Sequence, residues 1–221
     1  VIVGLKEKNN MNLLTNIAMT VFALQAVACA TDTSPSQTHA VQPTADSTTF
    51  QTLVITKVKK PWYAWRSLVV GKMKKSFPEY QAIDGLGEKF YSFTENQKLF
   101  GGIYFWNTKA AAQAWFTEKW FERTEKSYGQ RGQVDYYEIE KMETLKTTSG
   151  SDVTFWAALS EGRPAQLQNA EGLIKIVSIK NEKGKASLLT IWETKERAVT
   201  YFSNHKMEAE YFDTPLHIAK P

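Results

Sequence analysis

Cysteine is almost missing from this chain. The single one among 221 residues, Cys29, excludes an internal disulfide and leaves too few thiolates for a structural zinc site. Histidine is nearly as scarce, with His39, His205 and His217 only, so imidazole chemistry is confined to three positions. Charge of one sign is also lacking: 27 basic against 23 acidic residues leave a net charge of +4. That mild excess does not make the clustered basic face that nucleic acid requires, and no nucleic-acid partner is expected. There is no glycine-rich phosphate loop, no nucleophile elbow and no zinc-ligand spacing. What remains is 43% apolar and 13% aromatic, enough for a packed core in one or two domains.

The first fifty residues do not read as fold. Residues 13–28, "LLTNIAMTVFALQAVA", are largely apolar and uncharged, follow Lys6 and Lys8, and end in small side chains before Cys29. This is the pattern of a secretory signal, with Met11 as an alternative start. Thr15, Asn16, Thr20 and Gln25 interrupt the run and argue against a stable membrane span. "AVAC" (26–29) resembles a bacterial lipobox, which would make Cys29 a lipidation site and tether the protein in the cell envelope; cleavage after Ala28 or Ala30 and plain secretion is the alternative. Residues 31–50 are rich in Ser, Thr, Pro and Gln and read as a flexible tether, in which His39 is inert.

From Gln51 the texture changes. "TLVITKV" (52–58) is rich in β-branched residues and predicts a strand. Pro61 suits a helix start, with Trp62, Trp65, Val69 and Met73 along one face and Pro78 at the end. "GEKFYSFTE" (87–95) and "GGIYFW" (101–106) predict two more strands, Thr108 a capped helix to about Lys126, and "QVDYYEIE" (133–140) a fourth strand. The order β-α-β-β-α-β is the split ferredoxin-like unit.

The phrase then returns. "IYFWNTKAAAQAWF" (103–116) matches "LTIWETKERAVTYF" (189–202), placing Trp106 over Trp192, Thr108 over Thr194, Ala112 over Ala198 and Phe116 over Phe202. "DGLGEKFYSF" (84–93) matches "EGLIKIVSI" (171–179), and "DVTFWAALS" (152–160) supplies a first strand, whereas the first helix of the second unit is nearly absent. A single unit leaves one sheet face bare, so two units in one chain are expected to cover each other. The expected architecture is α+β: a signal segment (1–30), a linker (31–50), and ferredoxin-like units at 51–148 and 149–221, packed sheet to sheet as an intramolecular barrel. The paired Gly101 and Gly102 mark a bulge, a close backbone approach or a simple turn.

Proline-Trp at helix one, Gly-Leu before strand two and Gly-Gly-Ile-Tyr-x-Trp in strand three resemble the YdhR-type monooxygenase-like proteins of the dimeric α+β barrel superfamily, over roughly 52–142. The second half resembles the wider superfamily only. The resemblance implies a cofactor-independent monooxygenase acting on a small aromatic or quinol, the signal-like segment adds export, and homo-oligomers are a further expectation. A related branch degrades haem, which makes a haem-binding or haem-degrading protein one alternative. A non-catalytic envelope protein that binds a small apolar ligand is another.

His205 is the candidate base, thirteen residues after Trp192 and next to Asn204, an arrangement that resembles the quinol-oxidising and haem-degrading branches; a helix C-cap is the bland alternative. Tyr104 is the second catalytic candidate, through its hydroxyl. Trp65, Trp106, Trp192 and Asn204 are candidate ligand contacts, within a wider aromatic set that includes Trp62, Tyr91, Trp115 and Trp120; core packing competes for each. His217 reads as a strand histidine, and with His205 makes no convincing metal site, so none is expected. Lys57, Lys59, Lys60 and Arg66 either contact anionic headgroups or are simply solvated.

Overall fold

β-Branched residues favour extended backbone, and the run "TLVITKVK" forms strand β1, Thr52–Lys59. The computed structural model describes residues 50–147, 153–162 and 167–220. The expected signal segment, Cys29 and His39, and nearly all of the expected linker lie outside them. After β1 come α1 (Arg66–Lys75), α2 (Phe77–Gln81), β2 (Leu86–Thr94), β3 (Leu99–Trp106), α3 (Lys109–Trp115), α4 (Glu118–Tyr128) and β4 (Gln133–Thr144). The second half supplies β5 (Phe155–Glu161), a 3-10 turn at Leu167–Asn169, β6 (Leu173–Asn181), β7 (Ala186–Trp192), α5 (Lys195–Asn204) and β8 (Ala209–Ala219).

All eight strands join in one closed antiparallel barrel, in the order β1-β3-β2-β8-β5-β7-β6-β4. The first half runs β4-β1-β3-β2 and the second β8-β5-β7-β6, the same order in each. The two sheets do more than face one another. Ladders between β2 and β8 and between β4 and β6 stitch both edges, so backbone groups at the outer strands are paired rather than left open.

Alternation sorts the side chains. Leu53, Ile55, Phe90, Ile103, Phe105, Phe155, Val177, Leu189, Ile191 and Phe212 fill the lumen. The opposite faces of the same strands are covered by helices. In the first half Val54, Tyr104 and Trp106 pack under Ala112, Phe116 and Trp120; in the second, Leu188 and Trp192 pack under Ala198 and Phe202. Strands covered on both sides explain why "IYFW" is apolar without alternation. Ion pairs close the lumen near opposite ends of β8: Lys57 with Glu210 at one, and Glu88 with Lys175 and His217 at the other.

Three local expectations change. The helix expected from Pro61 begins only at Arg66, because Trp65 is extended (φ −64°, ψ 149°) and the Ala64 N–H instead closes a turn on the Pro61 carbonyl. Val69 and Met73 are buried as expected, but Trp62 and Trp65 point to solvent. Pro78 does not end that helix; it opens α2, where its missing N–H costs nothing. The helix from Thr108 breaks at Phe116 (ψ 57°) and restarts after the extended Thr117, which brings Phe116 against Tyr104, Trp106 and Trp120. The glycine pair is resolved in favour of close approach. The β1–β3 register runs unbroken through it, and a Cβ on Gly101 would lie 2.0 Å from the Thr56 carbonyl oxygen.

Candidate functional site

In the first half the helices do not seal fully onto the sheet. They leave a cavity of about 270 Å3. Its floor is the outer face of β1, β2 and β3, through Thr56, Lys89, Tyr91 and Tyr104; α1, α2 and α4 form its walls. The alternation of β2 sets the key side chain. Glu88 and Phe90 turn into the lumen, so Lys89 and Tyr91 turn outward, under the helices. Gly102 leaves the space that Lys89 occupies: a Cβ there would lie 3.1 Å from Lys89 Cε and 2.9 Å from the Tyr104 ring.

Lys89 is 2% exposed. Its Nζ lies 2.9 Å from the ring centroid of Tyr80, 3.7 Å from that of Tyr91 and 4.7 Å from that of Tyr104. Among the described residues it makes no ion pair. Burial pushes its ammonium well below the usual lysine range; Glu79 pulls in the opposite direction and Arg123 adds to the fall. The ring faces attract the charged form. This amine is therefore poised to take a proton when an anion arrives beside it.

The tyrosines are poised oppositely. Burial pushes the Tyr104 hydroxyl well above 10, and its neighbour Tyr80 raises it further. Tyr80 is also raised by burial, partly offset by a hydrogen bond with Tyr104. The Tyr91 hydroxyl, raised again by burial, lies 2.8 Å from Ser76 Oγ, whose own proton goes to the Met73 carbonyl. All three stay protonated; the Tyr91 proton is directed at Ser76 Oγ, and the hydrogen bond between Tyr104 and Tyr80 leaves one hydroxyl proton of that pair free for a ligand oxygen.

A second buried polar cluster lies in the lumen. Glu88 Oε1 is 2.9 Å from His217 Nε2, and Glu88 Oε2 accepts from Lys175 Nζ. His217 stacks on Phe90 at 4.3 Å. Burial pushes the Glu88 carboxyl up, but His217 and Lys175 outweigh it and hold it below 4.5. Every member is paired, and the cavity does not reach it.

Of the residues singled out in the sequence, Tyr104 alone among the six proposed contacts lines this cavity. His205 is exposed at the C-cap of α5; its Nδ1 is 2.8 Å from the Tyr201 carbonyl and its ring stacks on Tyr201 at 4.2 Å. Asn204, the last residue of α5, is exposed as well. Trp106 and Trp192 are fully buried core, and Trp192 Nε1 donates to Thr190 Oγ1 at 2.8 Å. Trp65 stands out in solvent. From the wider set, Tyr91 and Trp120 do line the cavity. Lys89 and Tyr80 were not singled out. The available signal was "EK" inside an otherwise apolar strand: adjacent charges on opposite faces of a strand covered on both sides must both be buried. Among the described residues no group of three or more His, Cys, Asp or Glu could hold a metal ion.

Known structures share the fold. A candidate monooxygenase from Fusobacterium nucleatum superposes with a TM-score of 0.54 at 11% identity, over 77% of this chain and 95% of its own. An anthrone oxidase-like protein gives 0.51 at 11%, over 77% and 94%. A candidate monooxygenase from Lactobacillus acidophilus gives 0.47 at 12%, over 77% and 100%. At such identities the first two show a common α+β barrel and nothing finer. No family model matches the chain, and no curated protein matches it.

Proposed function

We propose that this protein is a monooxygenase-like enzyme of the YdhR kind, built from two ferredoxin-like repeats, which oxidises a small acidic aromatic in the first-half cavity without a cofactor. The observation that carries the reading is Lys89: a buried amine with no carboxylate partner among the described residues, on the floor of an aromatic-walled cavity. Burial without a counter-charge favours the neutral amine, and a group that loses a proton to it supplies the missing negative charge. The names borne by the structural neighbours supply the reaction type.

Lys89, kept neutral by burial, takes a proton from a phenol or an activated ring CH2. The ammonium formed then faces three tyrosine rings and the new anion. The hydroxyl proton that the Tyr80–Tyr104 pair leaves free is donated to the substrate oxygen. The electron-rich anion is oxidised by dioxygen in a site from which bulk water is excluded. In the balance, a ring CH2 and O2 give a carbonyl and water.

The role first given to His205 passes to Lys89, because His205 lines none of the cavities described. The same placement removes support for haem ligation through His205. An apolar-ligand binder is the second reading, favoured by the lack of any acid–base partner for Lys89 other than tyrosine. Export, lipid anchoring through Cys29 in the cell envelope and self-association complete the proposal; mass spectrometry of the mature amino terminus and sedimentation test them.

The deciding experiment is oxygen uptake with a panel of quinols and anthrone-type substrates. Lys89→Met is expected to lower turnover by about 100-fold, and His205→Ala to leave it unchanged. Full activity in Lys89→Met would overturn the mechanism. Binding of the panel without oxygen uptake would favour the second reading.

A further inference from the structure

Large apolar side chains are rarely left in water in one place. Of the six exposed among the described residues, four fall within seven positions: Trp62, Tyr63, Trp65 and Leu68, with Trp62 at 93% and Trp65 at 79% exposure. They occupy the turn after β1 and the start of α1. The turn is built rather than loose. Lys60 Nζ donates to the Ala64 carbonyl at 2.9 Å, and Ala64 is itself buried. Arg66, held by buried Asp213 at 2.6 Å, fixes the start of the helix to β8. The tryptophans are thus presented outward on a fixed support, where core packing has no use for them.

The charge along this stretch of chain has one sign. Between residues 51 and 78 there are seven Lys and Arg and no Asp or Glu. Lys57 and Arg66 are engaged by Glu210 and Asp213. Lys59, Lys72, Lys74 and Lys75 are exposed. On α1, Leu68, Lys72 and Lys75 fall at spacings of four and three and so share one face, beside the buried Val69 and Met73. Exposed indoles in a stretch whose free charges are basic suit a surface whose interior is apolar and whose rim is anionic. A second copy of the same face is a poor partner, because it would set lysine against lysine.

We infer that the Trp62–Leu68 turn and the lysine face of α1 form a docking surface for an anionic lipid bilayer. Tyr63, Leu68 and Lys72 also line the cavity described above, so docking places its opening at the membrane and lets an apolar ligand enter from the lipid phase. The surface is separate from any anchor at Cys29, and docking stands whether or not the cavity is catalytic.

The test uses the full chain with vesicles of phosphatidylcholine alone or mixed with phosphatidylglycerol, containing brominated acyl chains that quench nearby tryptophan. Quenching is expected with the anionic vesicles only, to weaken with added salt, and to disappear in Trp62→Ser/Trp65→Ser. Lys72→Glu/Lys75→Glu should shift the lipid titration at least about tenfold to higher lipid. All four positions are exposed, so folding is not at stake. Equal quenching in wild type and the tryptophan variant would overturn the inference, as would wild-type protein bound to vesicles with Trp62 and Trp65 unquenched. Acrylamide shielding of these tryptophans without lipid would also overturn it: if concentration-dependent, a second copy covers the face; if not, another segment of the chain does.

Discussion

The two halves of the barrel share a strand order and several local features, and they part on the outer face of the sheet. Gly85 and Gly172 adopt left-handed backbone (φ +77° and +80°), and their carbonyls accept from Asn107 and Glu193 at 2.8 and 2.9 Å. Thr108 and Thr194 cap the following helices with almost the same backbone, each accepting from the N–H three residues on. Trp106 pairs across the sheet with Leu86, and Trp192 with Leu173. Glu88 and Lys175 sit at matching positions and reach each other across the lumen. On the outer face the match stops. Where the first half has Lys89, Gly102 and Tyr104, the second has Ile176, Leu188 and Thr190. Thr190 satisfies the Trp192 indole, whereas the Trp106 indole N–H has no partner among the described residues. In the second half Ile176 and Leu188 take the places of Lys89 and Gly102, and among the described residues one α-helix, α5, lies over that face. The first half keeps a cavity and an unpaired amine. A barrel that gives up packing on one face only is expected where that face has work to do.

The largest effect is expected where the halves touch. Glu88→Gln leaves the Lys175 ammonium without a counter-charge inside the lumen and should cost about 3 kcal/mol in urea unfolding. The Glu88 carboxyl is depressed in the folded state, so its contribution is full above the unfolded pKa of about 4.5 and is lost as pH falls through the lower folded value. The variant should lack that acid-dependent loss, and an unchanged acid unfolding profile would show that Glu88 does not carry it. Next, Gly102→Leu writes the second half's residue into the first. Its side chain would meet Lys89 and Tyr104, should cost roughly 1–3 kcal/mol by overpacking, and should abolish aromatic ligand binding measured by calorimetry. Retained binding would place the ligand elsewhere. Lys89→Met bears on the same contrast through stability. Lys89 has a depressed pKa when folded, so the wild type loses stability as pH falls below the unfolded lysine value of about 10.4 towards the folded one. The Met variant should show a flatter profile across that window; an identical slope would mean the amine is not desolvated. The smallest effect tests the likeness itself: Thr108→Ala and Thr194→Ala should each cost about 1 kcal/mol, and a marked inequality would show that the caps are not equivalent.

Much of this contrast was legible in the sequence and some was not. Trp106 with Thr108 and Trp192 with Thr194 could be aligned because cap chemistry and strand alternation act over a few residues. The strands were legible for the same reason. Trp62 and Trp65 were misplaced because a spacing of three fits a helix face, and nothing local says that the chain will turn at Ala64 instead. The break at Phe116 was missed because it is set by the aromatic cluster below it. His205 attracted attention as a histidine near a helix end, and its neighbours satisfy it there. Lys89 drew none, since a lysine in a strand ordinarily faces water.

The sequence by itself determined the strands, the caps and the near-duplicate phrases, because these follow from periodicity and from hydrogen bonds between close neighbours along the chain. Tertiary structure alone decided that ladders β2–β8 and β4–β6 close the expected barrel, that Glu88 meets Lys175 and His217, and that Lys89 is enclosed by Tyr80, Tyr91 and Tyr104. Those facts depend on which distant surface covers each face, and burial changes the energy of a charge far more than any neighbour in the chain can.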